Sequence, residues 1–152
     1  MRRYLLVLCL IAFASVAVKA QYRGLDTKRI AEMLVNEKKT GQMNDASFVL
    51  YLDSLGFTAV KRNGYQKEWT DTDKGVKKYL VNVLLLKEYK KRSVRIEIDD
   101  NGSIWWMVLK LKEFGLRESG HNGSAVFLEG KGLHAMAFPD KLWLSYDIKV
   151  GR

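Results

Sequence analysis

The apolar residues of this chain change their spacing at Phe57, and this change limits the folds that the chain can adopt. Before Phe57 they recur three or four positions apart, which is the spacing of one helix face. After it they alternate with polar residues, most clearly in Ser93–Asp99. Helices followed by a run of strands predict an α+β fold with the helices on one face of an antiparallel sheet.

Two helices are expected before the change in spacing. Asp26 is a good N-cap for the first helix, because its carboxylate can accept hydrogen bonds from the free amides of the first turn, and Gly41 follows its end. The second helix fits Asn44–Leu55, and Gly56 supplies the left-handed residue that ends many helices. These residues predict an N-terminal helix pair that packs on the sheet.

About six to eight strands joined by hairpins are expected after Phe57. Asn63-Gly64 predicts a two-residue hairpin turn, and Gly115–Gly123 predicts a loop. Residues 76–87 are compatible with a helix or a buried strand, and their alternate valines favour the strand. The predicted strands are Phe57–Arg62, Tyr65–Thr70, Val76–Lys87, Ser93–Asp99, Ile104–Lys112, Ser124–Glu129, Leu133–Phe138 and Leu142–Val150. The sheet is expected to curl.

The first twenty residues have the organisation of a secretory signal peptide. Arg2 and Arg3 precede an apolar run over Tyr4–Val18, and Ala20 ends a small-residue cleavage site. The run has about 15 residues, fewer than the roughly 20 that span a bilayer. We therefore expect a signal peptide at 1–20 and one secreted or periplasmic α+β domain at 21–152, without a transmembrane span.

Removing the signal peptide changes what composition implies about function. The only cysteine, Cys9, lies in the removed segment, so disulfide scaffolds, cysteine-based zinc sites and CxxC redox motifs are excluded from the mature chain. The net charge falls from +9 to +6, with 23 basic and 17 acidic residues remaining. This mild basicity, in an exported protein, favours an anionic envelope component or an acidic protein patch over nucleic acid.

The chain lacks the motifs of common catalytic and cofactor sites. It contains no H-E-x-x-H, no G-x-S-x-G, no phosphate loop and no dinucleotide fingerprint, so no metal or cofactor is predicted. His134 lies on a predicted strand and shares one face of it with Met136 and Phe138. The alternative to a binding protein is a small secreted hydrolase or lyase with a carboxylate-centred cleft, which requires two carboxylates to converge on His134. A closed barrel that carries a lipid is a third possibility.

Tryptophans and lysines supply the candidate binding residues. On the predicted strands, Trp106 and Trp143 fall on the face that the helices leave uncovered, whereas Trp105 falls in the core. Lys90, Lys91 and Arg92 form a cationic tip between two strands. A curled sheet that buries both faces, and a lysine cluster that only protects an edge, are the alternatives. The leading hypothesis is a non-enzymatic module that recognises a protein, an envelope component or an amphipathic ligand through these residues.

Overall fold

A computed structural model of the protein describes residues 21–71 and 77–149. The predicted signal peptide, residues 1–20, lies outside the described residues. The described part contains three helices and eight strands. They are α1 (Thr27–Thr40), α2 (Asp45–Ser54), β1 (Thr58–Val60), β2 (Gly64–Asp71), β3 (Lys77–Glu88), β4 (Lys91–Glu97), α3 (Asn101–Phe114), β5 (Arg117–Asn122), β6 (Ala125–Gly130), β7 (Leu133–Phe138) and β8 (Lys141–Asp147).

The strands form one antiparallel sheet in the order β1-β2-β3-β4-β8-β7-β6-β5. Each half of the sheet is a four-strand meander, and α3 connects the two halves. The halves join where β4 pairs with β8. The sheet is not closed, because β1 and β5 lie at its two edges. The predicted α+β fold is confirmed, and the possibility of a closed barrel is wrong.

The helices pack on the sheet face that carries the alternate apolar residues of the central strands. Val94 and Ile96 of β4 and Leu144 of β8 are fully buried beneath them. The helix ends agree with the sequence prediction: the Asp26 side chain accepts a hydrogen bond from the Lys28 amide at 3.0 Å. Helix α2 is followed by Gly56 in the left-handed region, with φ +86°. Burial of this face accounts for most of the driving force for folding.

The prediction of a strand over Ile104–Lys112 is wrong, because this segment belongs to helix α3. The Asp100 side chain caps the helix by accepting a hydrogen bond from the Ser103 amide at 3.1 Å. Gly115 follows the last turn with a positive φ of +122°. The buried apolar residues follow helical spacing: they are Ile104, Met107, Val108 and Leu111. The helical spacing is visible in the sequence. The segment was nevertheless predicted as a strand, because the predicted strands on both sides of it have a period of two.

Two further predictions are corrected. The predicted loop at Gly115–Gly123 contains β5, which pairs with β6. The β1–β2 turn has three residues, because Val60 pairs directly with Gly64, and Arg62 and Asn63 both have positive φ. A two-residue turn would have reversed the two faces of β2, since side chains alternate along a strand. The prediction of a strand over residues 76–87 is confirmed by β3, whose described part begins at Lys77.

Candidate functional site

The sheet face opposite the helices carries a row of aligned residues that crosses all eight strands, and five of its side chains are apolar. We call this face the open face, and its middle row the central row. The register aligns Val60, Gly64, Leu84, Arg95, Trp143, Met136, Phe127 and Gly120. A sheet face exposed to water is usually polar. An apolar row on this face therefore indicates a candidate binding surface.

Trp143 is held in place at the middle of the central row. Its cross-strand partner Arg95 places its guanidinium carbon 4.5 Å from the centre of the indole ring. The Phe138 ring lies at 5.5 Å from Trp143 in a tilted arrangement. Arg95 also donates from Nη2 to a Glu88 carboxylate oxygen at 3.3 Å. The Trp143 indole is half-buried and held on two sides, so its accessible part loses little conformational entropy on binding.

Arg95 keeps one donor without a partner. Within the described residues its Nε atom is buried and makes no hydrogen bond. A buried donor without an acceptor destabilises a structure, so Arg95 is kept at this position at a cost in stability. The guanidinium thus combines a cation–π contact to Trp143 with one unsatisfied buried donor.

A cleft lies next to the central row because two adjacent positions carry small side chains. Ser93 of β4 and Ser145 of β8 are cross-strand partners, and they are only 5% and 9% exposed. Taller side chains surround them and leave a cleft of about 250 Å³, which we call the serine cleft. It is lined by Glu88, Lys91, Ser93, Arg95, His134, Ala135, Met136, Trp143 and Ser145. The cleft combines an aromatic wall, a hydroxyl floor and a charged rim.

His134 lies between two carboxylates at the rim of the serine cleft. Its Nδ1 atom is 3.4 Å from a Glu129 carboxylate oxygen, and its Nε2 atom is 3.6 Å from one of Asp147. The side chains of all three residues are about half-exposed or more, at 47%, 60% and 66%. Within the described part of the chain, no group of histidine and acidic side chains is arranged to hold a metal ion.

The structure does not bring the two predicted tryptophans together. Trp106 lies on helix α3, where the Arg23 guanidinium is 4.1 Å and the Lys110 ammonium is 4.5 Å from its ring centre. Because α3 packs on the helix face of the sheet, Trp106 and Trp143 cannot form one surface. Trp105, which was expected in the core, is 44% exposed on α3.

The predicted cationic tip is divided between the two faces. Lys90 is exposed in the β3–β4 turn, and Lys91 lies at the rim of the serine cleft. Arg92 is 1% exposed, so its assignment to a surface tip is wrong. Arg92 lies two residues before Val94 on β4, so both side chains are on the sheet face that packs against the helices.

Arg92 is the centre of a buried ionic network. It donates from Nε and Nη2 to the two Glu37 carboxylate oxygens, at 3.1 and 3.0 Å, and from Nη2 to Asp45. Burial acts to lower the pKa of Arg92, but its hydrogen bonds and charge interactions with Glu37 and Asp45 outweigh this and raise it. The Tyr146 hydroxyl donates to Glu37 at 3.2 Å. This network joins α1 and α2 to the sheet and leaves Arg92 closed to ligands.

Ser93, Arg95 and Ser145 were not predicted as site residues. Alternation in Ser93–Asp99 does place Ser93 and Arg95 on the face opposite Val94. What local spacing cannot show is that β4 pairs with β8, which brings Arg95 beside Trp143. The serine cleft therefore depends on pairing between strands that are distant in the sequence.

Comparison with other proteins does not assign this arrangement to a family. No protein-family model matches the chain, and neither the search of curated proteins nor that of solved structures returns a match. Among the described helices, none has the length and apolar character needed to cross a bilayer.

Proposed function

We propose that the protein is an exported, non-enzymatic binding module that recognises a protein partner through the open face. The observation that carries this proposal is the central row, in which Trp143, Met136 and Phe127 follow Arg95 on successive strands of the face opposite the helices. Aromatic residues, methionine and arginine are the residue types enriched at the cores of protein interfaces. The segment at residues 1–20 supports export.

The serine cleft adds selectivity to this surface. Its rim carries both signs of charge, with Lys91 and Arg95 opposed by Glu88 and flanked by the half-exposed His134. A polar, charged rim beside buried aromatic residues is typical of a protein interface. We expect Trp143 to be the residue whose loss costs most, because aromatic anchors near the centre of an interface dominate its affinity.

The test is affinity capture with the purified protein in extracts of its source, comparing variants. Trp143→Ala and Arg95→Ala are expected to lose the proteins that the unchanged chain retains, since truncating a central anchor costs about 2 kcal/mol or more. Trp105→Ala is the matched control, because it removes an exposed indole from α3 on the other side of the sheet. Urea unfolding of each variant checks that the fold is kept. An unchanged set of captured proteins for Trp143→Ala rules out the proposal.

A hydrolase or lyase centred on His134 is the second candidate. The observation that favours it is the convergence of Glu129 and Asp147 on the two ring nitrogens of His134. An imidazole between two carboxylates can pass a proton from one of them to the other. Assays with ester, glycoside and phosphodiester reporter substrates should then show an activity that His134→Gln and Glu129→Gln both abolish. Activity that survives His134→Gln excludes this candidate.

A further inference from the structure

A second cleft lies on the helix side of the sheet, at the end that contains the β3–β4 turn. It has a volume of about 380 Å³ and lies among the last turn of α1, the end of β3 and the residues after β8. Three exposed lysines line it: Lys38, Lys87 and Lys149. We call it the lysine cleft. It shares no lysine with the serine cleft, so binding at one cleft does not require the lysines of the other.

Two acidic residues line the lysine cleft, Glu37 and Asp147, and each lies close to a group outside it. The Glu37 carboxylate accepts hydrogen bonds from Arg92, from the Tyr146 hydroxyl and from the Asn44 amide. Asp147 lies 3.6 Å from His134. In the described part of the chain, neither acid forms an ion pair with a lysine of the cleft.

The lysines themselves keep free hydrogen-bond donors. Lys38 donates to the Gly132 carbonyl at 3.0 Å, and an ammonium group has two further donors. Among the described residues, neither Lys87 nor Lys149 takes part in an ion pair. Three ammonium groups around one cleft favour an anion, and lysine is a common ligand of phosphate groups.

The remaining wall of the lysine cleft is apolar. Met43 and Ile148 are half-buried, and the Tyr146 ring is buried behind them. A cleft of about 380 Å³ with apolar walls and a few charged groups is within the size range of small-molecule sites. Such walls contact an alkyl chain but contribute nothing to binding a bare anion.

We infer that the lysine cleft binds an amphiphilic anion, with its phosphate or carboxylate group between the lysine ammonium groups and its alkyl chain against Met43 and Ile148. The juxtaposition of three lysines with this apolar wall carries the inference. Lys39 and Lys90, both exposed at the same end of the molecule, add to the positive potential that attracts such a ligand.

Isothermal titration calorimetry of the protein with dodecyl phosphate, below its micelle concentration, tests this inference. Lys87→Gln/Lys149→Gln is expected to weaken binding by about tenfold or more, because each lysine contributes a charge-assisted hydrogen bond. Lys28→Gln/Lys78→Gln is the matched control, since it removes the same charge from exposed lysines away from the cleft. Its affinity should equal that of the unchanged protein.

Two other ligands and one vesicle assay complete the test. Dodecyltrimethylammonium and inorganic phosphate should both bind much more weakly than dodecyl phosphate, because one lacks the negative charge and the other lacks the chain. Cosedimentation with phosphatidylglycerol vesicles, if lost in Lys87→Gln/Lys149→Gln, identifies a membrane lipid as the source of the anion. Binding only to the dissolved amphiphile identifies a free one. Absence of dodecyl phosphate binding, or equal binding by both double variants, overturns the inference.

Discussion

Replacing Arg92 by methionine isolates the contribution of the buried network to stability. The change removes both hydrogen bonds to Glu37, whose side chain is only 2% exposed, and leaves that carboxylate with the Tyr146 hydroxyl and the Asn44 amide. Removing one partner of a buried ion pair costs about 3–5 kcal/mol. The contact with Asp45 adds little, because that side chain is 59% exposed and returns to water.

Urea unfolding followed by tryptophan fluorescence measures this cost. With a slope of about 2 kcal/mol per molar urea, Arg92→Met should lower the unfolding midpoint by about 2 M. That is a large fraction of the total stability of a domain, which is about 5–15 kcal/mol. Lys91→Met is the matched control, because it removes a cation from the adjacent exposed position and should leave the midpoint nearly unchanged.

A double variant separates the cost of an unpaired Glu37 carboxylate from the cost of losing the packing of the Arg92 side chain. Glu37→Met/Arg92→Met replaces both charges by apolar side chains and should be more stable than Arg92→Met alone, since no unpaired buried charge remains. A midpoint shift below about 0.5 M for Arg92→Met would refute the reasoning. So would a double variant that is less stable than Arg92→Met.

Two further predictions concern buried tyrosines. Tyr22→Phe should raise the free energy of unfolding measured in urea, because within the described residues the Tyr22 hydroxyl is buried without a partner. Tyr146→Phe should lower the free energy of unfolding, because it removes the hydrogen bond to Glu37. Burial, aided by Tyr51 and Glu37 respectively, raises the pKa of Tyr22 and Tyr146 to about 12. The folded protein therefore holds these two protons more tightly than the unfolded chain does. The free energy of unfolding should be unaffected below pH 10 and should fall between pH 10 and pH 12, where the unfolded chain releases the protons first. Urea midpoints that stay constant from pH 9 to pH 12 would contradict this.

The overall fold was predictable because its signals are local. Asp26 and Gly56 mark helix ends that any chain with these residues can form, and strict alternation identifies β4. Helix α3 shows where local spacing becomes ambiguous. Its buried residues satisfy a helical period, but short apolar runs also satisfy a period of two, and the Asp100 cap decides between them.

The candidate site was less predictable because it depends on distant pairing. Trp143 was identified from its alternation with polar residues, but its partner Arg95 lies in the other half of the sheet. Arg92 shows the same limit, since its position in a charged run predicts exposure, and only the fold reveals Glu37 facing it. Local patterns cannot identify such tertiary partners.

The join between the two meanders has a consequence for the kinetics of folding. Each meander consists of hairpins between consecutive strands, which close short loops, whereas β4 and β8 are separated by α3 and three strands. Pairing them closes the longest loop in the sheet, and such non-local contacts slow folding. We expect the two halves to form early and their union along β4–β8 to limit the rate. The serine cleft, which is built across that join, then appears only in the last step of folding.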